Sequence, residues 1–185
     1  HFWQNNIIYF HKTWKCVQHE HFFLSPTPFI PSRMRDSRYP RQCTLGLFEK
    51  GGHQLICINT HFDFKETVQT ASARIILQRV AHLSLDLPAL LVGDFNALPG
   101  NACYRAFVGP DNTNSADYPS FTNAFTPPYP ATYHGFTGSK RGDHIDWMLY
   151  RGAIAPPDCC AIQKKFGDRY LSDHFPLYGR FKWRE

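Results

Sequence analysis

The chain contains no apolar run approaching the roughly 20 residues that cross a bilayer, so a membrane-spanning helix is excluded as its organising element. Its six cysteines, at positions 16, 43, 57, 103, 159 and 160, include no C-x-x-C pair, and Cys57 lies inside the apolar run Leu55 to Ile58. That scatter speaks against a zinc site or a disulfide framework and reads as buried thiols. There is no G-x-S-x-G elbow, which removes one serine-hydrolase class, and no repeat or low-complexity tract. The opening His1-Phe2-Trp3-Gln4-Asn5-Asn6 has neither the basic start nor the apolar stretch of a signal peptide, and it does not begin with methionine. A fragment boundary is compatible with this start, with any targeting segment upstream. A soluble, cytoplasmic, monomeric protein is the expectation.

What is present is enough apolar material for one sizeable core: 185 residues, 43% apolar and 16% aromatic. The expectation is a single domain over residues 1–185. A formal charge of +5 with ten histidines counted neutral gives a mildly basic surface. Such a surface suits a polyanion without requiring one.

Along the chain, Asn6 to Phe10 and Lys15 to Phe23 read as extended segments, the second as a pair of strands. Prolines, serines and arginines make Ser25 to Arg41 a surface loop. Leu45 to Phe48 and His53 to Asn59 read as two strands joined at Glu49-Lys50-Gly51-Gly52. Glu66 to Leu83 places Val68, Ala71, Ile75, Ile76, Val80 and Leu83 at helical spacing, which predicts an amphipathic helix capped near Thr67 and stopped before Pro88. Ala89-Leu90-Leu91-Val92 is a continuous apolar run, as in a strand covered on both faces. An irregular stretch to about Gly142 precedes strand-like patterns at His144 to Tyr150 and Phe175 to Trp183. Strand, helix, buried strand and further strands imply sheets covered by helices.

Four strand ends are unexpectedly polar. In Asn59-Thr60-His61-Phe62-Asp63 a period of two puts Asn59, His61 and Asp63 on one face; a solvated strand end would look the same. In Gly93-Asp94-Phe95-Asn96-Ala97 a carboxylate and an amide project together from an apolar strand, able to hold a water or cation or to close an Asx turn. Asp146 lies on the face opposite Ile145, Trp147 and Leu149, where a carboxylate needs a histidine or an arginine as partner. In Ser172-Asp173-His174-Phe175-Pro176, adjacent side chains of an extended segment point apart, so these three polar groups cannot form a serine-hydrolase triad.

These four pieces in order, with Pro40-Arg41 and His134-Gly135-Phe136, resemble the signature of the endonuclease/exonuclease/phosphatase family from about Asn6 to the C-terminus. The resemblance implies a four-layer α/β sandwich of the deoxyribonuclease-like type, incomplete at its N-terminus. It implies phosphoester hydrolysis by in-line attack of water with a magnesium or manganese ion. His174 would be the general base oriented by Asp146. His61 would stabilise developing charge on a non-bridging oxygen, and Asp94 and Asn96 would hold the water, the phosphoryl group or a second metal. Asp173 would be a metal ligand alongside Asp94 and Asn96, in a hard-oxygen set that suits magnesium. Asn59, Arg41 and His134 would contact substrate, which is nucleic acid or a small phosphorylated molecule.

The family carries an asparagine and a metal-binding glutamate on early strands upstream of the matched region, so this chain alone is expected to show low or absent activity. Arg33, Arg35, Arg38 and Arg41 crowd one loop, and only Arg41 falls in the matched Pro40-Arg41. Tyr129, Tyr133, His134 and Phe136 would either stack on a base or sugar or plug their loop onto the sandwich. Two alternatives compete with the hydrolase. A calcineurin-type dinuclear metallophosphoesterase would want a histidine two residues after Asp94 and a closing His-x-His near the C-terminus, which the sequence lacks. The other is a non-catalytic module on the same scaffold that binds a phosphorylated ligand or a protein.

Overall fold

A computed structural model describes residues 6–109, 118 and 120–184. Two β-sheets and two helices make up its regular elements. Strand β1 (Lys15–Phe23) runs antiparallel to β2 (Gln42–Lys50), which pairs antiparallel with β3 (His53–His61). The β2–β3 turn places Gly51 and Gly52 at φ of 57° and 81°, the left-handed pair that a two-residue hairpin turn asks for. Helix α1 (Glu66–Leu83) crosses from β3 to the parallel strand β4 (Ala89–Asp94). Helix α2 (Ala102–Val108) and the short β5 (Thr122–Asn123) lead to β6 (Asp146–Arg151), which lies antiparallel to β4. The large sheet has the order β1-β2-β3-β4-β6-β5. Strands β7 (Ile154–Ala161) and β8 (Leu177–Trp183) form a separate antiparallel pair.

The core lies between one face of the large sheet and the helices. Ile56 and Ile58 of β3, Leu45 of β2 and Leu91 of β4 are fully buried with Ala73, Ile76 and Val80 of α1. Each Val, Leu or Ile side chain among them contributes about 1.5–3 kcal/mol on leaving water. The opposite face carries half-buried Leu90, Val92 and Tyr150. There the small sheet packs on, with Phe181 5.7 Å from the ring of Tyr150 and Trp183 stacked on His53 at 4.5 Å. A helix layer, the large sheet and the small sheet give the α/β sandwich. Among the described residues no helix is long and apolar enough to cross a membrane.

Several local expectations are corrected. Asn6 to Phe10 forms no strand: Asn6 and the backbone of Ile7 are instead held by side-chain bonds, from Asn6 Nδ2 to Gln42 O (2.8 Å) and from Asn59 Nδ2 to Ile7 O (3.0 Å). Lys15 to Phe23 is one strand with a register shift between Cys16 and Gln18, not two. Helix α1 has the expected bounds, but Lys65, not Thr67, is its N-cap and makes no side-chain cap bond; Glu66 places a negative charge in the first turn, where the helix dipole favours it. Ala71 and Ile75 are only half-buried: both line a groove beside Ser25, Pro28 and Met34, and Ile75 also packs against the edge of the core. The stretch before Gly142 contains α2, started by Asn101 Oδ1 accepting from Cys103 N at 3.1 Å, and β5. Positions 110–117 and 119 of that stretch, and residues 1–5 of the opening, lie outside the described residues.

Candidate active site

Every polar strand end is next to a buried aromatic. Phe62, Phe95 and Trp147 are fully buried and Phe175 nearly so, beside His61, Asp94, Asp146 and His174 respectively. Phe95 stacks on Trp147 at 4.2 Å and meets Phe62 edge-on at 4.9 Å. The aromatic half of each motif is thus locked in the core, which fixes where its polar neighbour emerges.

Register completes the arrangement. His61 pairs with Asp94 across β3–β4, and Asp94 with Asp146 across β4–β6, so the three stand side by side on adjacent strands. Gly93 permits this approach: a Cβ there would sit 2.0 Å from Thr60 O, and its φ is +151°. Thr132 then joins β6 to the His174 segment. Its Oγ1 accepts from the N–H of Asp146 (3.1 Å), while its carbonyl accepts from the N–H of Phe175 (2.7 Å).

His174 Nδ1–H donates to Asp146 Oδ2 at 2.8 Å. Its Nε2 lies 4.0 Å from Asp94 Oδ2, and His61 Nε2 lies 3.2 Å from the same oxygen. Asp94 Oδ1 accepts from the N–H of Asn96 at 2.8 Å, the Asx geometry, while Asn96 Nδ2 donates to Phe62 O at 2.9 Å. From α1 beneath, Gln69 Nε2 donates to Asp63 O (2.8 Å) and to Asn96 O (2.9 Å).

Electrostatics differ within this cluster. Burial and the nearby Arg41 charge lower His61 to about 4, so at neutral pH its contact with Asp94 is made by a neutral imidazole and is not an ion pair. Burial, then the neighbouring Asp146, pushes Asp94 up to about 6. The hydrogen bond to Asp146 raises His174 above the ordinary imidazole value, against the opposing effect of burial. Asp94, Asp146 and His174 offer donor atoms within 4.8 Å of one another and could hold a metal ion.

His61, Asp94, Asn96, Asp173, His174 and Arg41 all line one cleft of about 570 Å³. Asp146 and Asn59 line an adjoining hollow that shares His61, Asp94 and His174. Asp173 and His174 both reach the cleft because the chain bends at 171–173 before His174 makes an antiparallel bridge with Tyr133. Asp173 lies outside the metal-capable trio, although it was grouped above with Asp94 and Asn96. Asp63 does not share the face of His61: β3 has ended, and its carboxylate turns under the 37–39 loop, only 2% exposed. His134 lies elsewhere too, 5% exposed with its ring stacked on Phe175 at 3.9 Å. It serves through its backbone, its N–H and that of Gly135 donating to Asp173 O (2.9 and 3.0 Å). Of the loop aromatics, Tyr133 lines the cleft, 5.1 Å from the His174 ring, while Tyr129 stacks on His144. Sequence reasoning missed Thr132 and the cleft residues Tyr39 and Phe64; the last two adjoin the Pro40-Arg41 and Asp63 pieces that it did single out.

The model of the endonuclease/exonuclease/phosphatase family matches residues 37–174. The chain belongs to that family. All three activities in the family's name cleave phosphoesters. A mannosyl-6-phosphatase of Bacteroides thetaiotaomicron has a similar structure, with a TM-score of 0.77 at 22% identity over 92% of this chain and 68% of that one. An endonuclease/exonuclease/phosphatase family protein of Bacteroides vulgatus gives 0.79 at 21% identity, covering 93% and 67%. The human Nocturnin catalytic domain with a bound sulfate anion gives 0.66 at 18%, covering 92% and 60%. The chain therefore spans about two thirds of the length of these structures, or less. At such identities the likeness is one of fold, the deoxyribonuclease-like sandwich. No curated protein matches the sequence.

Proposed function

We propose that this chain carries the base and phosphoryl-binding part of a magnesium- or manganese-dependent phosphoester hydrolase. The observation that carries the reading is the Asp146–His174 hydrogen bond of 2.8 Å directed into a cleft where Asp94 and His61 already converge. Asp146 holds the Nδ1–H of His174, which leaves Nε2 facing the cleft as the group that takes a proton from water. His61, neutral at physiological pH, has one N–H to donate, to an oxyanion or to Asp94 3.2 Å away. Arg41, 8% exposed and lining the same cleft, supplies fixed positive charge toward a phosphoryl group.

The residues fit a hard divalent ion. Asp94 and Asp146 are close enough to raise the Asp94 carboxyl, a repulsion that a cation relieves. Asp94, the carboxylate shared by that trio and the cleft, would hold it, with Asp173 and Asn96 lining the same cleft. When bound, such an ion neutralises phosphoryl charge and orients water.

The test measures hydrolysis of 4-nitrophenyl phosphate and bis(4-nitrophenyl) phosphate with and without magnesium or manganese, and manganese binding by paramagnetic broadening of the His61 and His174 resonances. Asp146→Asn is expected to lower any metal-dependent rate about 10²- to 10⁴-fold. Resonances that manganese leaves untouched, or turnover indifferent to Asp146→Asn, sinks the reading.

A further inference from the structure

The cleft mouth carries two exposed aromatic rings that the phosphoryl chemistry does not use. Tyr39 is 40% exposed and Phe64 54%. They come from separate loops, before β2 and after β3, and meet edge to face with centroids 6.4 Å apart. One buried carboxylate sets both. Asp63 Oδ2 accepts from the N–H groups of Arg38 (2.8 Å) and Tyr39 (3.0 Å) and from Ser37 Oγ (2.8 Å), and Asp63 Oδ1 accepts from the N–H of Phe64 (2.8 Å). The Arg38 and Arg41 guanidinium carbons lie 5.4 and 5.0 Å from the Tyr39 centroid, and 6.0 and 5.7 Å from that of Phe64.

We infer that Tyr39 and Phe64 form the subsite for the organic group of the phosphoester, that this group is a planar unsaturated ring, and that Asp63 is the positioning residue of the shelf. The inference rests on the cleft being a phosphoester site, as proposed above. Backbones tied to one carboxylate present the two rings already in place, so little freedom is lost when a ligand stacks on them. Aromatic faces attended by guanidinium groups attract another π-system. A saturated sugar is a poorer occupant, because its hydroxyls ask for acceptors as well as donors. The carboxylate beneath the shelf is buried and taken by four donors, and the two guanidinium groups over it only donate.

The test compares adenosine 5′-monophosphate, ribose 5-phosphate and mannose 6-phosphate by calorimetric titration of the full 185-residue chain, with and without magnesium. The first two differ at one carbon, where the base of the nucleotide replaces the anomeric hydroxyl of the sugar phosphate. Adenosine 5′-monophosphate is expected to bind about 5- to 150-fold tighter than ribose 5-phosphate, the span that stacking one base supplies. Tyr39→Ala and Phe64→Ala bring that ratio toward one, and Tyr39→Phe preserves it. Asp63→Asn reduces the ratio as well, in a chain that a melting curve shows to be folded; a residue that served stability alone would leave it unchanged. Equal binding of the matched pair, tighter binding of mannose 6-phosphate, or a preference that survives both alanine variants overturns the shelf while the phosphoester reading stands. If none of the three ligands binds, both fall together.

Discussion

Replacing Asp63 by alanine removes from the interior the acceptor of four donors: Ser37 Oγ and the N–H groups of Arg38, Tyr39 and Phe64. Hydrogen bonds to a charged acceptor contribute about 1.5–3 kcal/mol each. They do not sum here, because Ser37 Oγ keeps a second acceptor in Tyr39 O and the three backbone donors are only part-buried. A loss of about 3–4 kcal/mol is expected, close to the cost of breaking a buried charged partnership and a large share of a typical domain's 5–15 kcal/mol. Urea unfolding followed by circular dichroism and extrapolated to water measures it. The pH dependence adds a second constraint. Burial alone would raise the Asp63 carboxyl, but the hydrogen bonds from Tyr39, Ser37, Phe64 and Arg38 outweigh it and hold the group below its ordinary value. A folded-state pKa below the unfolded one stabilises above the unfolded value, about 3.9, and that contribution disappears as pH falls through the folded value. The gap between the native chain and Asp63→Ala should therefore stay constant from about pH 7 to 5 and close below about pH 4. A loss under about 1 kcal/mol, or a gap that widens on acidification, refutes the reasoning.

Gly93→Ala sets a methyl group 2.0 Å from Thr60 O at a positive φ, where neither strand can yield without breaking its ladder; a cost of about 2–4 kcal/mol is expected from overpacking plus backbone strain, read by the same unfolding experiment. Phe95→Ala empties the junction between Phe62, Phe107 and Trp147 and should cost about 3–5 kcal/mol, with displaced His61 and Asp94 resonances by nuclear magnetic resonance. Magnesium at a hundred times its dissociation constant should stabilise the chain by about 2.7 kcal/mol, a shift that Asp94→Asn abolishes in a thermal melt and that an unresponsive native chain would contradict.

Where sequence and structure agree, local physics was sufficient. The bounds of α1 follow from eighteen residues of helical periodicity, and the β2–β3 turn from two glycines where the backbone needs positive φ. The polar strand ends stood out because each interrupts an aromatic or aliphatic run that has to be buried. The partnership of Asp146 with His174 was different: spacing left an arginine equally open, and only the likeness to a family supplied histidine. Strand β7 went unseen because Ile154-Ala155-Pro156-Pro157 reads as a breaker, although a register shift between Ala155 and Asp158 accommodates the prolines. Helix α2 is seven residues long, too short for a period to show. Asn6 to Phe10 has strand-like residues but no strand beside it to pair with among those described. Thr132 offered no signal at all, since its work depends on two segments that meet only in three dimensions. His134 was drawn in by its neighbours' likeness to a motif whose backbone, not its imidazole, supports Asp173.

Because one amide on α1 is shared by the carbonyls of Asp63 and Asn96, the segments leaving β3 and β4 are riveted to the same helix. A slide or tilt of that helix carries both along, and the spacing between the His61 and Asp94 side chains is conserved through the movement. Breathing at this end of the sandwich is therefore collective: amide exchange in the two segments should rise and fall in step with α1, and a longer insertion in either one is accommodated only where it leaves those two oxygens in place.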